Sequence, residues 1–166
     1  AAKYVDLEDN PIDPDRLEQG TDFMAEVTVK NTGDRGTYEE VALTHMTASG
    51  WEIRNTRMEN EKGSQDAVFD YQDIRDDRVY TYFDIKQGES KTFRVILNAS
   101  YLGKFYLPMI MVEAMYDASI NARVPGKWIR VVKPGTKISQ DQFLEKPSES
   151  TEKIETENWS ISDESA

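Results

Sequence analysis

The stretch that decides the fold is Tyr101–Val132, YLGKFYLPMIMVEAMYDASINARVPGKWIRVV. It reads as three extended segments, Gly103–Leu107, Met109–Tyr116 and Lys127–Val132. Pro108 parts the first two, and Asp117–Gly126, a loop of mostly small residues ending in Pro125-Gly126, parts the last two. Pro108 has no amide proton to give a ladder, so the chain bends there or runs along an edge. Met109–Tyr116 is the longest apolar run, and its centre, Val112-Glu113-Ala114-Met115-Tyr116-Asp117, alternates imperfectly. A strand without clean alternation needs cover on both faces. That predicts a central strand with a partner beyond its own sandwich, while Met109, Met111 and Met115 read mainly as core filler.

The flanking sequence is built from similar short units. In Thr21–Lys30, Phe23, Ala25, Val27 and Val29 lie on one face and Asp22, Glu26, Thr28 and Lys30 on the other, a half-buried strand with Met24 as the exception. Tyr38–Met46 follows the turn Asn31–Gly36, with Val41 and Leu43 inward. Ser49-Gly50 interrupts it, and Trp51-Glu52-Ile53 resumes pairing after a bulge or corner. Val79–Ile85 and Lys91–Ala99, separated by Gln87-Gly88-Glu89-Ser90, predict a β-hairpin. Residues 1–20 form a lead-in punctuated by Asn10-Pro11, Asp13-Pro14 and Gln19-Gly20, with Tyr4-Val5 as a short edge strand. Asn55–Tyr71 is the longest irregular stretch.

Seven or eight short strands, turn signals at sandwich spacing and no amphipathic helix predict an all-β fold. Its form would be an antiparallel β-sandwich of two sheets with an immunoglobulin-like or fibronectin-like layout over residues 21–133. Residues 134–166 differ in kind. They hold eight acidic residues against three lysines, a net charge of −5 out of −11, and read as a mostly disordered acidic tail.

A sequence pI near 4.6 with no clustered Lys or Arg argues against nucleic acid and anionic membranes as partners. No apolar run is long enough to span a bilayer, which argues against direct membrane insertion. Cysteine is absent, so this chain has no disulfide, thiolate metal site or cysteine nucleophile. His45 is the only histidine, and without partners it reads as a surface or satisfied strand residue rather than a catalytic base. Asp70, Asp73, Asp76 and Asp77 invite a metal reading. Their spacing is not that of an EF-hand loop, and Arg75 and Arg78 stand among them, which favours a structural charge network. No nucleophile–base pair, phosphate loop or metal-ligand cluster emerges, so the expectation is a non-enzymatic domain with no cofactor and no metal.

Four blocks carry a family resemblance. They are Ser49-Gly50-Trp51-Glu52-Ile53, Asp70–Val79 (DYQDIRDDRV), Gly103–Pro108 (GKFYLP) and Glu113-Ala114-Met115-Tyr116-Asp117. In order and spacing they resemble the C-terminal macroglobulin-like domain of bacterial alpha-2-macroglobulins, over roughly Gly20 to Val132. The resemblance implies a periplasmic or cell-surface, membrane-anchored parent that traps endopeptidases. A protease cuts a bait region, the parent rearranges, and a thioester in a separate domain acylates the attacker. The implied partners are the thioester domain and the other macroglobulin domains of the same parent, the trapped proteases, and a penicillin-binding protein. The resemblance also implies that a tyrosine of this domain closes over the thioester. By its place in Met115-Tyr116-Asp117, Tyr116 is the candidate, with Met115 beside it and Asp117 at the domain interface. An aromatic ring excludes water from a reactive bond while its hydroxyl supplies a hydrogen bond. The other reading is a generic immunoglobulin-like adhesion or spacer module of a bacterial surface protein, in which Tyr116 is a sandwich residue at the rim.

Overall fold

The computed structural model describes residues 1–54 and 69–137. Most of the stretch Asn55–Tyr71 and nearly all of the acidic tail lie outside those residues. The described residues form twelve strands: β1 (Ala2–Val5), β2 (Arg16–Glu18), β3 (Asp22–Lys30), β4 (Tyr38–Met46), β5 (Trp51–Ile53), β6 (Tyr71–Ile74), β7 (Arg78–Ile85), β8 (Ser90–Ala99), β9 (Gly103–Leu107), β10 (Ile110–Ala114), β11 (Asp117–Val124) and β12 (Lys127–Val132). They make three sheets, ordered β1-β3-β8-β5, β11-β10-β4-β7-β6 and β2-β12-β9. Every pairing is antiparallel except β2 with β12, which is parallel.

The four-stranded sheet is the common wall. At one end Phe23, Ala25, Leu97 and Ala99 pack with Trp51 and Tyr4 against Leu17, Leu107, Ile129 and Val131 of the three-stranded sheet. At the other end Val27 and Phe93 pack against Val41, Leu43, Phe83, Ile85 and Ile110 of the five-stranded sheet. Period-2 alternation along β3 and β8 thus supplies both cores from one continuous apolar face. The result is a sandwich whose second layer is split into two sheets.

Tyr101–Val132 stitches that split layer together. β10 pairs with β11, and beyond Pro108 and Pro125-Gly126 the same two chain directions continue as β9 paired with β12. This is one long hairpin that changes sheet half-way. The ladder runs from Ala114↔Asp117 to Ile110↔Val124, then resumes at Leu107↔Lys127. Pro108-Met109 and Pro125-Gly126 lie side by side in the gap. Gly126 is required there, because a Cβ would stand 2.6 Å from the Leu107 carbonyl oxygen and 2.5 Å from the Tyr106 hydroxyl.

Several expectations need correction. Asp117–Gly126 is not a loop, since Asp117–Val124 is the edge strand β11. Its residues are small or polar and mostly exposed, so no alternation marks it. The segments Val79–Ile85 and Lys91–Ala99 do not form a hairpin, because β7 pairs with β4 and β6 while β8 pairs with β3 and β5. The turn at Gly88 carries the chain across the sandwich, and the Phe83 and Phe93 rings meet across the core at 4.6 Å. An inward alternation on both strands fits pairing side by side and packing face to face equally well. Of the two readings of Ser49-Gly50, a bulge or a corner, the corner is the one found: β4 belongs to the five-stranded sheet and β5 to the four-stranded one.

Glu26, expected on the solvent face of β3, is 1% exposed. It is clamped from both neighbouring strands, by Lys3 on β1 and by Arg94 Nη2 at 2.5 Å on β8. These cations hold its carboxyl below the usual range. His45 is a strand residue, but a buried one, 2% exposed, and its Nε2 has no partner among the described residues.

Candidate functional site

The feature that most resembles a site is the tip of the long hairpin, where β10 turns into β11 at Met115-Tyr116. Tyr116 is 87% exposed and Met115 52%. Folding normally covers a tyrosine ring, so a nearly bare one on an ordered turn has no part in this domain's own core. The turn beneath it is fixed from two sides. The Met115 amide donates to the Glu40 carbonyl at 2.9 Å. Asp117 Oδ1 accepts from the Ser119 hydroxyl at 2.6 Å and from the Ser119 amide at 3.0 Å, and these bonds lower the carboxyl's pKa. Arg35 Nη1 reaches Asp117 Oδ2 at 3.5 Å and the Ser119 hydroxyl at 3.4 Å.

The Glu40 carbonyl is aimed at the tip by a local irregularity in β4. Pairing with β7 slips between Tyr38 and Val41, and Glu40 sits there with φ of 52°, a left-handed conformation costly for a residue with a Cβ. Asp84 Oδ1 accepts the Glu40 amide at 2.9 Å and holds the irregularity in place. Nothing in the sequence of Tyr38–Met46 marks the slip, because neither glycine nor asparagine stands at the left-handed position.

Behind the tip, the two sheets part to leave an open cleft of about 720 Å³. Val27 and Val29 of β3 line one side and Ile110, Val112 and Val124 of the hairpin the other. Half-exposed Val112 explains the imperfect alternation of β10: its inner face closes a core at Ile110 and opens onto this cleft further along.

The aspartate–arginine run lies elsewhere, on β6, the following turn and the start of β7. Arg75 Nε donates to Asp73 Oδ2 at 3.0 Å, and Arg78 holds Asp77 through two bonds, 2.9 and 2.6 Å. The Asp70 amide donates to the Tyr82 carbonyl. No group of three or more metal-ligating side chains occurs among the described residues. These charges pin a tight turn, and none of them faces Tyr116.

The family described as Bacterial Alpha-2-macroglobulin MG10 domain matches residues 2–118. The chain belongs to that family. This MG10 domain is therefore a macroglobulin domain rather than a general adhesion or spacer module, and its family is one of inhibitors, not enzymes. The match takes in β1 and β2, which pair with β3 and β12. An alpha-2-macroglobulin of Pasteurella multocida is 27% identical over 119 residues, which is 72% of this chain and 6% of that protein. Native Escherichia coli alpha-2-macroglobulin spanning domain MG7 to the C-terminus superposes with a TM-score of 0.69 at 18% identity, covering 81% of this chain and 23% of that one. Salmonella alpha-2-macroglobulin reacted with methylamine gives 0.69 at 21% identity, covering 81% of this chain and 9% of that one. At such identities the superpositions speak for the fold. The MG10 domain spans a small fraction of the length of each of these relatives.

Proposed function

We propose that this MG10 domain is the C-terminal cover of a protease-trapping macroglobulin, and that Tyr116 shields the thioester of the adjoining domain in the same parent. The observation that carries the reading is the bare Tyr116 ring on a turn fixed through Met115 and Asp117. The backbone that carries it is pre-organised to enter a surface supplied by another domain, so that docking orders the ring and little of the turn. Solved relatives give the context: alpha-2-macroglobulins of Escherichia coli activated by porcine elastase and by trypsin, and the Salmonella protein reacted with methylamine. A thioester survives in water only where water and amines are kept out, and an inserted aromatic ring does that until the domains part. The parent would then act in the periplasm or at the cell surface, meeting proteases there.

The test is made in the intact parent protein. Tyr116→Gly is expected to speed thioester loss to methylamine severalfold, while the isolated MG10 domain carrying it melts at the wild-type temperature. An unchanged methylamine rate in a folded variant removes Tyr116 from the shielding role.

A further inference from the structure

At the far end of the hairpin from Tyr116, the outer face of the three-stranded sheet carries a patch unlike the rest of this acidic chain. Lys104, Arg130 and Arg16 stand opposite one another on β9, β12 and β2, forming one row across all three strands. At about 4.8 Å between strands the row spans about 10 Å. Tyr106 and Trp128 pair in the next row, 50% and 59% exposed, their rings edge-on at 5.5 Å. Lys104 Nζ lies 5.0 Å from the Trp128 ring centre, linking the two rows.

Two features mark this face as more than a solvated surface. Arg35, Arg54, Arg75, Arg78 and Arg94 each hold a carboxylate, whereas none of the three cations in the row is ion-paired among the described residues; Arg123 on β11 shares that state but stands alone, with no second unpaired cation opposite it. Arg16 instead donates to the Thr136 carbonyl at 2.6 Å, and Glu18 at the patch edge is engaged by the Gly135 amide at 3.1 Å. The aromatic pair is also held in position: the Tyr106 ring lies across Gly126, where any Cβ would collide with it.

We propose that this face is a second interaction surface, and that its partner is an acidic stretch of polypeptide. Carboxylates of the partner lie along Lys104, Arg130 and Arg16, and an apolar side chain packs on Trp128 and Tyr106. Trp, Tyr and Arg are the residue types that dominate protein–protein affinity. The guanidinium fork matches a carboxylate in two-point contact. A polyanionic nucleic acid fits less well, because its affinity grows with the number of phosphates neutralised, and three cations on a chain of net charge −11 are few. The surface is separate from the hairpin tip and does not depend on the shielding role of Tyr116.

The test uses the 166-residue chain and fluorescence anisotropy with three fluorescein-labelled probes. They are a twelve-residue peptide alternating glutamate with leucine, the same peptide with glutamine for glutamate, and a twelve-nucleotide oligothymidylate. The acidic peptide is expected to bind saturably and at least about tenfold tighter than the glutamine peptide. In the unsubstituted chain it should shift backbone amide resonances around Lys104–Tyr106 and Trp128–Arg130. Trp128→Ala, and separately the double change Lys104→Ala with Arg130→Ala, should each weaken it at least about tenfold at an unchanged melting temperature. No saturable binding up to about 1 mM acidic peptide overturns the proposal. So do shifts confined to other strands, equal binding by folded variants, or tighter binding of oligothymidylate, which would assign the face to nucleic acid.

Discussion

Lowering the pH from 8 to 5 should destabilise this domain through one side chain, and His45→Leu should abolish most of that loss. His45 is buried, and burial pushes its imidazole down from 6.5 to about 4. The folded state therefore keeps it neutral over a range in which the unfolded chain takes up a proton. A group whose folded pKa is depressed and whose charged form is the protonated one favours folding above its unfolded pKa and loses that stability as pH falls. At pH 5 the unfolded chain is stabilised by its protonated histidine by about 2 kcal/mol relative to pH 8, taking pKa values of about 6.5 and 4 in the linkage relation. For a domain of this size that is a drop in melting temperature of about 6–12 °C. The window stops at pH 5 to stay above the range in which Glu26 loses its own contribution, which is present above its unfolded pKa and lost as pH falls through the lowered folded one. Thermal melts followed by circular dichroism at pH 5, 6, 7 and 8 would read the slope in both proteins. If His45→Leu keeps the same slope, or the unsubstituted domain loses less than about 0.5 kcal/mol by pH 5, burial of His45 is not what sets its titration.

Glu26→Ala should lower stability by about 2–3 kcal/mol in urea unfolding, because it leaves the partly buried Arg94 with only the more distant Asp9 at 3.8 Å; Arg94's remaining exposure and the largely exposed Lys3 keep the loss from being larger. Gly50→Ala should cost about 1–3 kcal/mol in the same assay, since its Cβ would stand 2.3 Å from the Phe105 ring, which packs on the core and has little room to retreat.

How far the fold can be read from residues alone differs between strands for a physical reason. β4, β9 and β12 have the bounds that the pattern predicts, because each buries one face; in β4 the alternation runs unbroken from Val41 to Met46, beyond the slip at Glu40. β11 escapes notice because an edge strand with both faces largely in water leaves no apolar trace. The partner of β8 is not legible in its sequence, because alternation reports which face is buried but not which strand lies alongside. The parallel contact of β2 with β12 joins residues more than a hundred positions apart through a three-residue strand, too short to show a period. At the site, Met115-Tyr116 stood out through resemblance rather than chemistry. Its supports, Glu40 and Asp84, were invisible, because a carbonyl aimed by a left-handed backbone leaves no residue-type signature unless glycine occupies the position. The charge row on β9, β12 and β2 was equally hidden, because its three cations are scattered in sequence and gather only when the sheet forms.

The gap in the long hairpin at Pro108-Met109 and Pro125-Gly126 has a mechanical consequence. Proline takes an amide proton out of each strand at the same level, so the ladder is severed where the hairpin passes from one sheet to the other. Hydrogen bonds along β10 and β11 are thereby uncoupled from those along β9 and β12, and each half is anchored to its own apolar cluster. A load applied at Tyr116 can strip the edge strand β11 from β10, one bond at a time, and stop at the prolines, while β10 stays laddered to β4. The remainder of the domain then stays closed while its outermost finger yields.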